Sequence, residues 1–100
     1  MSTERALKAV SEPRRQAILR LLKAEDGLSV TEIGRRLKVT QQAASQHLKV
    51  LQDAGLVEAR GAGARHLYSV RMAGFEPVEA FLSEFWDRKL AALKSEIEGE

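Results

Sequence analysis

The feature that most constrains this chain is how closely two short helical patterns abut. Residues 30–37 and 40–54 both read as capped amphipathic helices, and only Lys38-Val39 lies between them. Ser29 with Glu32 three residues on fits a capping box, in which each residue satisfies an orphan backbone donor of the other. Ile33 and Leu37 form the inner face of the first helix. Gly34 inside it costs about 1 kcal/mol relative to Ala and is explained by a close helix–helix approach. Thr40 caps the second helix, whose inward stripe is Ala44, Leu48 and Leu51, with Ala43 and Val50 beside it. Asp53-Ala54-Gly55 stops it, with Gly55 in the left-handed conformation expected just beyond a helix end.

The flanking segments extend the pattern. Residues 3–10 read as a short helix with Leu7 and Val10 on one side. Ser11 is expected to cap a second helix over about 12–24, with Pro13 tolerated in its first turn. Ala17, Ile18, Leu21 and Leu22 give that helix a stripe of period 3.6. Asp26-Gly27 ends it, and Leu28-Ser29-Val30 reads as a very short strand. Beyond Gly55, Leu56–Arg60 and Arg65–Val70 are β-type runs, and Gly61-Ala62-Gly63-Ala64 supplies a hairpin turn with positive φ. A long amphipathic helix over about 73–98 closes the order. The fold class is mainly α with a small β-hairpin wing, a single winged helix-turn-helix domain over residues 1–100.

The outward face of the 40–54 helix carries the chemistry. Gln41, Gln42, Ser45, Gln46 and Lys49 lie together opposite the core stripe, and no acid interrupts them until Asp53. Gln can bond bidentately to adenine, Ser reaches a base or a phosphate, and Lys49 and the helix N-terminus at Thr40 suit phosphate oxygens. A carboxylate on this face would repel a nucleic-acid backbone. Ordinary solvation explains most polar helix faces, but here the tight turn, the acid-free face and a basic hairpin coincide. Charge is partitioned in the same sense. Residues 29–71 carry seven basic against three acidic side chains, and residues 72–100 carry three against seven. A basic centre suits a polyanion, because Lys and Arg on phosphates release condensed counterions.

The stretch Pro13-Arg14-Arg15-Gln16-Ala17-Ile18-Leu19-Arg20-Leu21-Leu22 resembles the second-helix signature of ArsR-type regulators. The run Gln41 to Val57 (QQAASQHLKVLQDAGLV) is similar to that family's recognition helix and the start of its wing, and Arg65-His66-Leu67-Tyr68-Ser69-Val70 fits the rest of the hairpin. The resemblance implies a sequence-specific DNA-binding transcriptional regulator, a repressor that leaves its operator when a signal binds. By matched position, Ser45 with Gln41, Gln42, Gln46 and His47 would contact DNA, with Arg60 and Arg65 reaching the backbone from the wing. On helical geometry His47 sits nearer Ala43 and Val50 than the Gln face, so DNA contact and inward packing both stay open. His66 faces the same way as Tyr68 and Val70 and reads as structural.

Four of the five aromatic residues lie in the last helix: Phe75, Phe81, Phe85 and Trp86. With Val78, Leu82, Leu90, Leu93 and Ile97 they make an apolar face too broad for a lone surface helix. Burial against the same helix of a second copy, with Leu7 and Val10 alongside, makes a homodimer. Folding back on its own monomer is the alternative. In a dimer, two reading helices about 34 Å apart would address successive major grooves of a near-palindromic site.

Other classes fare worse. No cysteine is present, so disulfides, thiolate ligands and cysteine nucleophiles are excluded. Residues 72–100 contain no histidine, and carboxylates alone select zinc poorly, so no metal and no cofactor is expected. An organic effector or a protein effector stays open. Ser45, His47 and Asp53 share one helix and cannot converge as a triad, so the chain is not read as an enzyme. No signal peptide or membrane span is evident, and the expected location is the cytoplasm. The rival reading is a winged-helix protein-interaction module that never touches DNA.

Overall fold

A computed structural model describes residues 2–98, without the side chains of residues 62, 87–91, 94 and 98. The elements are α1 (Thr3–Val10), α2 (Pro13–Ala24), α3 (Val30–Leu37), α4 (Gln41–Asp53), β1 (Val57–Ala62), β2 (Arg65–Val70), a 3₁₀ turn (Met72–Phe75) and α5 (Glu76–Glu98). The expected order, mainly helical with a two-stranded antiparallel hairpin, is the observed one.

Three details differ from the sequence reading. Glu12, not Ser11, caps α2: its carboxylate accepts from the backbone N–H of Arg15 at 3.1 Å. Ser11 is already spent on the end of α1, where its hydroxyl donates to the Lys8 carbonyl at 2.7 Å. The hairpin turns on two residues, since Ala62 pairs with Arg65, and Gly63 supplies the positive φ of 66°. The short strand at 28–30 reduces to one bridge between Leu28 and Tyr68.

Ile18, Leu22, Ile33, Leu48, Leu51, Leu56 and Val57 are fully buried and form the centre between α2, α3, α4 and β1. From α1 the chain buries Ala6 and Ala9, whose small side chains bring that helix close, and leaves Leu7 and Val10 half-exposed. The capping box at α3 is formed: Glu32 accepts from Ser29 N at 3.0 Å while Ser29 Oγ accepts from Glu32 N at 3.2 Å.

Two glycines set distances between elements. A Cβ on Gly34 would lie 3.1 Å from the Val39 carbonyl oxygen, so the turn into α4 closes directly over α3. Lys38 takes the left-handed φ of 57° in that turn. A Cβ on Gly74 would fall 1.8 Å from the Gly55 carbonyl oxygen, so the 3₁₀ turn lies hard against the chain leaving α4. Arg71 N donates to Leu56 O at 2.8 Å and holds it there.

Phe75, at the end of the 3₁₀ turn, and Val78, in the first turn of α5, pack on the chain's own core. Further along, Phe81, Phe85, Trp86, Leu93 and Ile97 are exposed, Phe85 by 67% and Ile97 by 75%. Phe81 and Phe85 stack edge to face with centroids 5.1 Å apart. The Leu90 side chain, expected on the same face, lies outside the described ones. No helix among the described residues is long and apolar enough to cross a membrane.

Candidate nucleic-acid interface

The outward side of α4 is built by subtraction. Ala44, Leu48 and Leu51 are drawn into the core, and helical periodicity then leaves Gln41, Gln42, Ser45, Gln46 and Lys49 exposed on the opposite side. Thr40 starts the helix, its hydroxyl accepting from Ala43 N at 3.0 Å. Gln42, Ser45 and Gln46 make no side-chain hydrogen bond among the described residues, so their donors and acceptors are all turned to solvent. Gln41 Oε1 accepts from Thr31 Oγ1 at 3.4 Å, which ties the start of α4 to α3. Lys49 reaches Asp53 at 3.6 Å, one helical turn on. Both side chains are largely exposed, and such a pair is worth about 0.3–0.5 kcal/mol, little enough for a phosphate to displace it.

The wing adds two cations. The strand register places Arg60 opposite Leu67 and Ala62 opposite Arg65, so Arg60 and Arg65 project from the same face of the hairpin. Arg65 bonds to Glu32 at 3.1 Å, while Arg60 makes no ion pair among the described residues. Hydrogen bonds from Ser29, backbone and side chain, hold the Glu32 carboxyl below the usual carboxylate range, and the Arg65 charge adds to this. Glu32 therefore joins the base of the reading unit to the wing. A second pair, Arg36 with Glu25, links α3 to the end of α2 and lowers the Glu25 carboxyl in the same way.

His47 is placed away from the Gln face. Its side chain is 19% exposed, with Nδ1 3.5 Å from Arg15 Nη1 and 3.9 Å from Glu12 Oε2. Neither partner was visible in the sequence, because they lie more than thirty residues away and no local spacing signals them. The Glu32–Arg65 contact is equally distant, at 33 residues, and the Thr31–Gln41 contact, ten residues apart, spans the turn between α3 and α4 with no local spacing to signal it. Among the described residues no group of three His, Asp or Glu side chains could hold a metal ion.

Comparison with known proteins places this architecture. A helix-turn-helix domain family matches residues 10–60. A transcriptional regulator of the helix-turn-helix type from Mycobacterium tuberculosis is 39% identical over 99 residues, covering 99% of this chain and 92% of its own. Among solved structures, an ArsR-like transcriptional regulator from Rhodococcus sp. RHA1 superposes with a TM-score of 0.74 at 33% identity, over 92% of this chain and 89% of that one. The homodimeric winged helix-turn-helix DNA-binding domain from Mycobacterium bovis, named as a possible ArsR-family regulator, gives 0.68 at 32% identity, over 84% and 77%. With the tight turn, the capped reading helix and the Gly-tipped wing all in place, this chain belongs to the ArsR-type winged helix-turn-helix transcriptional regulators.

Proposed function

We propose that the chain acts as a homodimer that occupies a near-palindromic operator and represses transcription until a signal releases it. The observation that carries this is the face of α4, where Gln42, Ser45 and Gln46 stand exposed, without a side-chain hydrogen bond among the described residues and with no acid on the helix before Asp53. Gln42 and Gln46 read base edges, and Ser45 reaches a base or a phosphate. Thr40, Gln41 and Lys49 hold the phosphate backbone at the two ends of the helix, while Arg60 and Arg65 hold it from the wing. His47, turned toward α2, is not among these contacts.

The dimer draws support from α5, whose exposed Phe81, Phe85, Trp86 and Leu93 form an apolar strip beyond the monomer's own core. Leu7, Val10 and Leu82 are half-buried and border it, and the Mycobacterium bovis neighbour is itself homodimeric. Phe75 and Val78 serve the monomer first and support the base of α5. Work on chromosomal DNA puts the protein in the cytoplasm.

A gel shift of the full chain on DNA from its own upstream region tests the reading. Binding should weaken steeply as salt rises, since phosphate contacts dominate affinity. No shift at low salt, or a flat salt response, would instead identify a winged-helix protein-interaction module.

A further inference from the structure

One guanidinium joins the first helix to the reading helix. Arg15 sits in the first turn of α2, and its Nε donates to the Ala9 carbonyl at 2.6 Å. Its Nη2 donates to the Lys8 carbonyl at 3.4 Å, and its Nη1 lies 3.5 Å from His47 Nδ1 on α4. Nδ1 accepts that bond in the tautomer that carries its proton on Nε2. The first closes a carbonyl left open at the negative end of α1, and the second joins the Lys8 carbonyl that already accepts from Ser11 N at 3.3 Å and Ser11 Oγ at 2.7 Å. The third reaches the helix that carries the reading face, at the residue next to Gln46. Gln16 adds a parallel bond from α2 to the Val10 carbonyl at 2.8 Å. The Arg15 backbone N–H is in turn held by the Glu12 cap at 3.1 Å, so the guanidinium's base is fixed as well.

We infer that Arg15 is a positioning residue that fixes the pose of the reading helix relative to α1, with His47 as its receiving group. The inference rests on the proposed two-fold dimer on two half-sites. In such a dimer α1 belongs to the joined centre and α4 to the DNA. Symmetry repeats any tilt of α4 against α1 in the second copy, so the span between the two reading helices shifts by both errors together. Only arginine fits the task. Its planar fork spreads donors over separate nitrogens in fixed directions, Nε toward Ala9 and Nη1 toward His47, whereas lysine's three donors radiate from a single nitrogen.

The test uses the full chain and three duplexes drawn from its operator: both half-sites at native spacing, both with two base pairs inserted between them, and one half-site alone. Wild type should prefer native over expanded spacing by tenfold or more. Arg15→Lys, which keeps the charge, should lose most of that preference while its affinity for the single half-site and its dimerisation stay within about threefold. A residue needed only for folding would depress all three duplexes alike. His47→Ala leaves the bonds from Arg15 to α1 in place and should lose the spacing preference too, so it reads the inference independently if Arg15→Lys is poorly folded. An unchanged spacing preference in His47→Ala, or equal losses on all three duplexes in Arg15→Lys, overturns the inference. A wild-type chain that forms no two-site complex overturns the dimer reading beneath it as well.

Discussion

Replacing Gly74 by Ala should be among the most damaging single-methyl changes in this chain. The added Cβ would sit 1.8 Å from the Gly55 carbonyl oxygen, 2.7 Å from its carbon and 3.3 Å from Leu56 N. All three are backbone atoms, so no side-chain rotation relieves the clash. Nor can that backbone move freely. Gly55 is held at φ 79°, Leu56 N bonds to Leu51 O at 2.9 Å, and Leu56 O accepts from Arg71 N at 2.8 Å. Overpacking costs about 1–3 kcal/mol when surroundings can adjust, and here the cost should lie at about 3 kcal/mol or above. For a domain of this size that lowers Tm by roughly 12–24 °C. Gly34→Ala is the control. Its Cβ would meet the Val39 carbonyl oxygen at 3.1 Å, which needs a shift of only a few tenths of an ångström, and Gln41 atoms at 3.6 Å, an ordinary contact. Helix propensity returns about 1 kcal/mol at that position, so the net change should stay within about 1 kcal/mol of zero. Thermal and urea unfolding followed by circular dichroism, at matched protein concentration, measures both. If Gly74→Ala were as stable as wild type, or Gly34→Ala the worse of the two, the assignment of the 3₁₀ turn as a fixed abutment on the end of α4 would be refuted.

The other predictions address the interface and the solution behaviour. Gln42→Ala or Gln46→Ala should relax base preference by about 1–3 kcal/mol at one operator position, read from competition shifts against single-base operator variants. Lys49→Ala should weaken all sequences alike and reduce the salt slope by about one. Phe85→Glu should shift the dimer toward monomer in sedimentation, because it would bury a charge in an apolar contact. Acid should loosen the join between α3 and the wing. Glu32 is held below the usual carboxylate range in the folded chain, so its contribution is complete above the ordinary glutamate value and is lost as pH falls through the lowered one. Acid unfolding midpoints of Glu32→Gln against wild type report the Glu32 contribution, and Glu25, lowered by Arg36, acts in the same sense.

What could be read in advance divides by distance along the chain. The Ser29–Glu32 box, the Thr40 cap and the left-handed Gly55 are decided within four residues, and each was legible. The polar outward face of α4 was legible for the same reason, since placing Ala44, Leu48 and Leu51 inside leaves Gln42, Ser45 and Gln46 outside by periodicity alone. Where two local solutions competed, the choice came from a neighbour. Ser11 outranks Glu12 as a helix cap by intrinsic preference, yet its hydroxyl is drawn to the Lys8 carbonyl and the cap passes to Glu12. Gly61-Ala62-Gly63-Ala64 allows more than one alignment, and pairing Val57, a buried residue, with Val70 selects the two-residue turn at Gly63. Contacts between distant segments leave no such trace. Arg15 with His47, Glu32 with Arg65 and Gly74 with Gly55 join residues from different elements, and no spacing in the chain encodes them. The consequence for a DNA reader is specific. Which side chains stand on the outer face of α4 follows from one helix and its period, whereas how α4 is held against α1 and α2 depends on contacts between helices that only the folded structure reveals.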